Sequence, residues 1–239
     1  MNYLEKIMNN GTAFFALCAL LSVIVITVAI VIRSHRKRNL VDKIHIRAGQ
    51  AGEKRLASKL AEIPLDGEVV LRNLYIPLRN GETTEIDAIT INEYGIWVYE
   101  MKNYRGDISG NEHDKYWIQQ KGSERRQFYN PIIQNQNHIK AIRNYLANTG
   151  QKIPFIHGYV VFGSSAFIPS NIKSIDCGHC VISVDDVPSS YKRYIVGFKR
   201  DKCLDKKDIS IIARFLEKRC VNVNDRTKKK HIKFVQKNC

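Results

Sequence analysis

Disulfide chemistry is the first thing the sequence is short of. Its 239 residues hold six cysteines. Cys18 lies in an apolar run, and Cys177, Cys180, Cys203, Cys220 and Cys239 all fall in the last third. A disulfide framework would be dense and spread through a small secreted domain, so a reducing compartment is the simpler expectation. Acidic residues are also few: 23 Asp and Glu stand against 38 Lys and Arg, for a net charge of +15 and a pI near 9.6. That excess suits nucleic acid or acidic lipid, or it is simply a basic surface. No internal repeat or low-complexity segment is present. There is no glycine-rich phosphate loop with its lysine, and no serine nucleophile elbow at Gly163-Ser164-Ser165. What is present is ordinary for a globular protein: 44% hydrophobic and 26% charged residues, in a chain long enough for one good-sized domain with extras.

The exception is Phe14 to Ile32, FFALCALLSVIVITVAIVI, which carries no charge and is extended by Thr12 and Ala13. At about 1.5 Å per residue this run matches a hydrocarbon core of roughly 30 Å. Its β-branched residues are no obstacle, because in lipid a helix satisfies the backbone. No small-x-small cleavage site follows, which argues against a signal peptide. Arg33, Arg36, Lys37 and Arg38 follow instead, and only Lys6, offset by Glu5, precedes it. The positive-inside rule then places residues 33–239 in the cytoplasm, as a single-pass protein of the cytoplasmic (inner) membrane. Arg33 to Arg38 would meet anionic lipid headgroups.

The rest reads as a mixed α/β domain. The expected divisions are a short segment 1–11, the span 12–32, a basic linker 33–47, a domain over 48–165, an extension over 166–220 packing on it, and a basic tail 221–239. Leu56, Leu60 and Ile63 space a helix from Ala48 to Ile63, closed by Pro64. Strands are predicted over 69–74, 84–91 and 95–102, the last two joined by Asn92-Glu93-Tyr94-Gly95. A short strand or turn region follows through Ile108 and Trp117. Pro131 opens a helix over 131–147, with Ile132, Gln136, Ile139 and Arg143 on one side and Ile142, Tyr145 and Leu146 on the next. Strands at 155–162 and 181–184 and a helix over 205–219 complete the order.

The hairpin carries chemistry. If Ile91 faces Ile96, then Ile89 faces Val98, Asp87 faces Glu100 and Glu85 faces Lys102. Two carboxylates would stand opposite each other, with β-carbons roughly 5 Å apart. Such a pair binds a cation, shares a proton, or belongs to another register. A hard divalent ion such as magnesium, or manganese in its place, suits oxygen ligands and retained water. Lys102, one strand repeat further, could hold a phosphate oxygen or orient a water. Ordinary ion pairing of Glu85 or Glu100 with Lys102 is the competing account.

Asp87 followed by Glu100-Met101-Lys102 resembles the acidic-x-Lys signature of the PD-(D/E)xK nuclease superfamily. The fuller set resembles the nuclease-related domain, NERD: Gly49 with Gly52-Glu53, Glu85-Ile86-Asp87, Gly95-Ile96, Glu100-Met101-Lys102-Asn103-Tyr104 with Gly106, Trp117, and Asn130-Pro131 with Gln134. The match covers about residues 48–146. Ile86 stands where the superfamily's name has proline. The resemblance implies a restriction-endonuclease-like mixed sheet flanked by helices. It implies Asp87 and Glu100 as metal ligands, Lys102 as the catalytic lysine, Glu53 as a further acidic member and Gln134 as a polar partner from the opposite side. It further implies a Mg2+-dependent nuclease acting on DNA, or a non-catalytic nucleic-acid-binding or interaction module.

Other signals stay open. Cys177-Gly178-His179-Cys180 has the spacing of half a zinc site, but Cys203, Cys220 and His231 are loosely placed as partners, and ordinary thiols at a turn are favoured. His138, four residues after Gln134, reaches the site or is a satisfied histidine elsewhere. Trp117 and Tyr104 stack on bases or pack beside the sheet. Lys228–Lys230 belong to a solvated tail or touch an anionic partner.

Overall fold

The computed structural model describes residues 11–63, 67–169, 172, 179–197 and 201–221. The chain divides into two compact units, Met1–Ala48 and Gly49–Cys239. Helix α1 spans Gly11–Ala61. The basic stretch 33–47, expected as a linker, is part of this helix, as is the helix expected from Ala48. Nothing in the sequence between Arg33 and Ala61 stops it: there is no proline, and the glycines Gly49 and Gly52 are tolerated singly. An 18-residue window of this helix has mean hydropathy 3.1 and none of it is buried, so it is long and apolar enough to cross a membrane.

Within the second unit lies a five-stranded mixed sheet. In spatial order it runs β1 (Val69–Pro77), β2 (Thr83–Asn92), β3 (Gly95–Lys102), β7 (Ile156–Phe162) and β9 (His179–Ser183). The first three pair antiparallel and the last three parallel. The change of sense at β3 is made by helix α2 (Pro131–Asn148), which returns the chain to β7. Helix α3 (Val187–Gly197), which has no counterpart among the elements expected from the sequence, follows β9. Helix α4 (Lys206–Val221) packs on β1.

The second sheet is larger than the sequence pattern predicts. The region expected as a short strand or turn is β4 (Gly106–Ser109), β5 (Tyr116–Lys121) and β6 (Glu124–Tyr129), joined by β8 (Ala166–Phe167) in the order β6-β5-β4-β8. Its strands are short and polar on one side, so no long alternating run announces them.

Each face of the main sheet has its own core. Ile89, Ile91, Ile96 and Val98 pack under α2 and α4, against Ile142, Leu146 and Ile212. Ala88, Trp97, Tyr99 and Met101 pack under the end of α1, where Leu56 and Leu60 are 1% and 2% exposed. Burying each leucine contributes about 1.5–3 kcal/mol, enough to seat this helix end beside β3. The buried face of α2 takes in the side with Ile142, Tyr145 and Leu146 and only part of the side with Ile132. It includes Ile132, Asn135, His138, Ile142 and Leu146, while Gln136 and Arg143 are exposed. Asn135 donates to Val98 O and Tyr159 O at 3.1 and 2.9 Å, and Gly158 leaves the room for it. A polar residue therefore sits on the inward face and defeats an apolar-periodicity reading.

A candidate active site at the end of strands β2 and β3

The β2–β3 ladder has the register expected from the hairpin, from Asn92↔Gly95 through Ile91↔Ile96 and Ile89↔Val98 to Ala88↔Tyr99. There it ends. Asp87 does not form a backbone pair with Glu100. Its carboxylate Oδ2 accepts from the Met101 amide at 2.7 Å, taking the bond a continuing ladder would have used. The cause lies one strand further out. Leu71 and Leu74 on β1 are three residues apart yet share one core, as do Ile86 and Ile89 on β2. A regular strand would send them to opposite faces. Both strands turn over at Asn73 and Asp87, and Asn73 has φ +54, a left-handed conformation that asparagine tolerates. The turn aims Asp87 edgewise at β3.

Glu100 is buried, at 2% exposed. Its Oε1 pairs with Lys102 Nζ at 2.6 Å, and its Oε2 accepts from His138 Nε2 at 2.9 Å. His138 Nδ1 in turn meets Thr84 Oγ1 at 2.9 Å. Lys102 Nζ also donates to Gln134 Oε1 at 3.0 Å. Gln134 and His138 are one turn apart on α2, so a single helix face braces both members of the ion pair. The N-terminus of α2 is fixed by Asn130, whose Oδ1 accepts from Ile132 N and whose Nδ2 donates to Glu112 O and Asp114 O. Asparagine caps the helix and Pro131 fits its first turn, which gives the Asn-Pro pair a physical meaning.

Glu53 approaches from α1. That helix comes close at Gly52, where a Cβ would stand 2.7 Å from Asn103 Cβ. The negative charge of Glu53 is felt at Asp87 and at the Tyr75 hydroxyl, which donates to Glu85 at 2.5 Å. The five expected residues therefore gather at one place, from α1, β2, β3 and α2. His138 is the addition. Its spacing from Gln134 is visible in sequence, but its burial depends on how α2 is rotated. Trp117 is fully buried and stacks on Phe162, and Tyr104 packs edge-on to Phe128, so both pack beside the sheet. Cys177 and residues 222–239 of the expected basic tail lie outside the described residues. Cys180 is buried with its Sγ 3.4 Å from His157 Nε2.

The electrostatics separate the two carboxylates. Burial pushes Glu100 up, but the Lys102 ammonium and the His138 hydrogen bond outweigh it and hold Glu100 at about 2. Burial works against the charge on Lys102, and Glu100 more than offsets it, so Lys102 is held above its usual value. Asp87 goes the other way. Burial raises it first and the like charge of Glu100 next, with the Met101 amide and Lys102 only partly compensating. A dication bound here would relieve this conflict. The donor set fits magnesium, which takes hard oxygens, needs only one or two carboxylates and keeps several waters. Among the described residues, no three His, Cys, Asp or Glu side chains converge as ligands, so the protein's share would be Asp87 and Glu100 alone.

Residues 48–163 match the family model of the nuclease-related domain. The chain is also similar to an uncharacterized protein of Bacillus anthracis, 41% identical over 106 residues, which cover 44% of this chain and 50% of that relative. The chain thus spans about half the length of the curated relative it matches. No solved structure matches it.

Proposed function

Because residues 48–163 match the family model of the nuclease-related domain, we propose that the chain is a membrane-anchored, Mg2+-dependent nuclease that hydrolyses DNA phosphodiester bonds at the Asp87, Glu100 and Lys102 centre. The observation that carries this is the Lys102 ammonium, set 2.6 Å from Glu100 and 3.0 Å from Gln134 beside the opened end of the β2–β3 ladder. Asp87 and Glu100 would hold the ion, which when bound polarises a phosphate and acidifies a coordinated water. The chain's own residues supply the rest. An ammonium has three donors. Lys102 commits two of them, to Glu100 and Gln134, and the third serves the charge that develops on a phosphate oxygen. His138 and Thr84 hold Glu100 in its rotamer, and Glu53 adds to the negative potential that draws a cation. The chain's +15 charge favours salt-sensitive, weakly sequence-specific binding. The apolar stretch of α1 and the arginines that follow it support a single-pass anchor in the cytoplasmic membrane, with the domain on the cytoplasmic side and Arg33 to Arg38 at anionic headgroups.

A second reading is favoured by one observation. Both oxygens of Glu100 are engaged by protein groups, as they would be in a non-catalytic nucleic-acid-binding or interaction module held at the membrane. Full-length protein in detergent, incubated with DNA and RNA in magnesium, manganese or EDTA, separates the two. EDTA-sensitive cleavage that Asp87→Ala and Lys102→Ala both abolish is the expected result. No metal-dependent cleavage of any substrate would sink the enzyme reading. Release of the full-length chain from membranes by alkaline carbonate would contradict the anchor.

A further inference from the structure

The smaller sheet has one covered face and one open face. Ile108, Trp117 and Phe128 cover the inner side, together with Phe162. Cross-strand partners share a face. The ladder pairs Tyr116 with Tyr129, Ile118 with Gln127 and Gln120 with Arg125 therefore lie on the other side. Asp107, paired with both Gln120 and Phe167, carries that face across to β8. It is aromatic for an open surface: Phe167 is 67% exposed and Tyr116 46%. Tyr116 and Tyr129 meet edge to face at 6.2 Å, and Lys115 Nζ lies 5.3 Å from the centroid of the Tyr116 ring.

Topology places this sheet next to the candidate active site. Strands β4, β5 and β6 are one insertion between Lys102 and Gln134. Those two residues are joined by a 3.0 Å hydrogen bond, so the insertion leaves from the site and returns to it. Asn130 ties its return to the 112–114 loop.

We infer that the open face of this sheet is a stacking platform for the unstacked bases of single-stranded nucleic acid. The inference rests on the nuclease reading above and narrows its substrate. Tyr116 and Phe167 offer ring faces, which any base can cover whatever its sequence. Gln127, exposed between the aromatic and basic ends of β6, can bond a base edge. Lys115 and Arg125 bring positive charge to the two ends of the hairpin face, where a strand's phosphates would run. A duplex keeps its ring faces stacked on one another and cannot use such a surface.

The test is fluorescence anisotropy of the full-length chain in detergent, with EDTA present to prevent cleavage. Labelled oligothymidylate is compared with a duplex of equal length. Single strand should bind more tightly. Tyr116→Ala and Phe167→Ala should each weaken it by about tenfold, with duplex affinity changed by less than about twofold. Both side chains are exposed, so an unchanged melting temperature verifies the fold. Unchanged single-strand affinity in folded variants overturns the platform, and so does an equal loss for duplex. A sedimenting dimer that Phe167→Ala returns to monomer would seat a second copy on this face, and overturns it too. Cleavage is judged separately. Platform binding without cleavage leaves only the enzyme reading in difficulty, and cleavage with platform-independent binding leaves only this one.

Discussion

Asn73 and Asp87 are cross-strand neighbours that pass each other without a backbone pair, in a register that is continuous from Arg72↔Ala88 to Leu74↔Ile86. The left-handed turn of the first frees the carboxylate of the second for the Met101 amide. A site residue is thus aimed from a strand that does not itself belong to the site.

Asn73→Gly should keep this geometry, because glycine adopts positive φ without penalty. Asn73→Val should lose about 1–2 kcal/mol or more, since a β-branched residue is strained there. The sequence has three methionines, so selective 15N-methionine labelling gives a spectrum simple enough to follow Met101. Its amide signal should stay in place in Asn73→Gly and shift in Asn73→Val towards its position in Asp87→Ala. An unmoved signal in Asn73→Val would break the link between the turn and the carboxylate.

Removing the Lys102 charge should affect stability as well as cleavage. Glu100 would remain buried with only His138 as partner, and breaking a buried pair on one side costs about 3–5 kcal/mol. Lys102→Met should therefore unfold at lower urea concentration and fail to cleave. Adding Glu100→Gln removes the stranded charge, so the double variant should regain stability and remain inactive. A double variant no more stable than Lys102→Met would mean that the ion pair is not what Lys102 contributes to the fold.

Gly52 is a packing requirement. A methyl there meets Asn103 Cβ at 2.7 Å and Met101 Cε at 3.1 Å, directly behind the site. Gly52→Ala should cost about 1–3 kcal/mol by forcing α1 away from β3, and should reduce cleavage by displacing Glu53. In an Asn103→Gly background the same change should cost less, as urea unfolding of the four-member mutant cycle would reveal.

Away from the site, Glu68 accepts from the Tyr191 hydroxyl at 2.7 Å, and Tyr191 is hydrogen-bonded to Asn92. Burial raises Glu68 above the ordinary carboxylate value, with the Tyr191 and Thr90 hydrogen bonds only partly opposing it. A carboxyl raised in the folded state favours folding while protonated. Its contribution is complete below the unfolded value and is lost as pH rises through the folded one. Glu68→Gln should therefore gain stability relative to the natural chain as pH rises above the unfolded carboxylate value of about 4. A difference that does not change with pH would show that Glu68 does not titrate differently on folding.

The local elements are legible in the sequence because local chemistry makes them. Asn92 to Gly95 closes a hairpin, so the β2–β3 register follows from the facing of Ile91 and Ile96 alone. Pro131 behind Asn130 marks the start of α2, and nineteen uncharged residues mark an apolar helix. The smaller sheet is much less legible. Its strands run two to six residues with little alternation, and they hold together through Trp117, Phe128 and Phe162, which are far apart in sequence.

The sequence by itself determined which residues could form a site: Asp87, Glu100 and Lys102 through strand alternation and one tight hairpin, and Glu53 and Gln134 through the resemblance to the nuclease-related domain. Tertiary structure alone decided how they are used. It turned Asp87 onto the Met101 amide, rotated α2 so that His138 reaches Glu100, and closed the chain between Lys102 and Gln134 into a sheet beside them. The physical reason is range. Alternation and capping act over a few residues and can be read along the chain. The facing of a helix and the end of a ladder are settled by burial against elements tens of residues away.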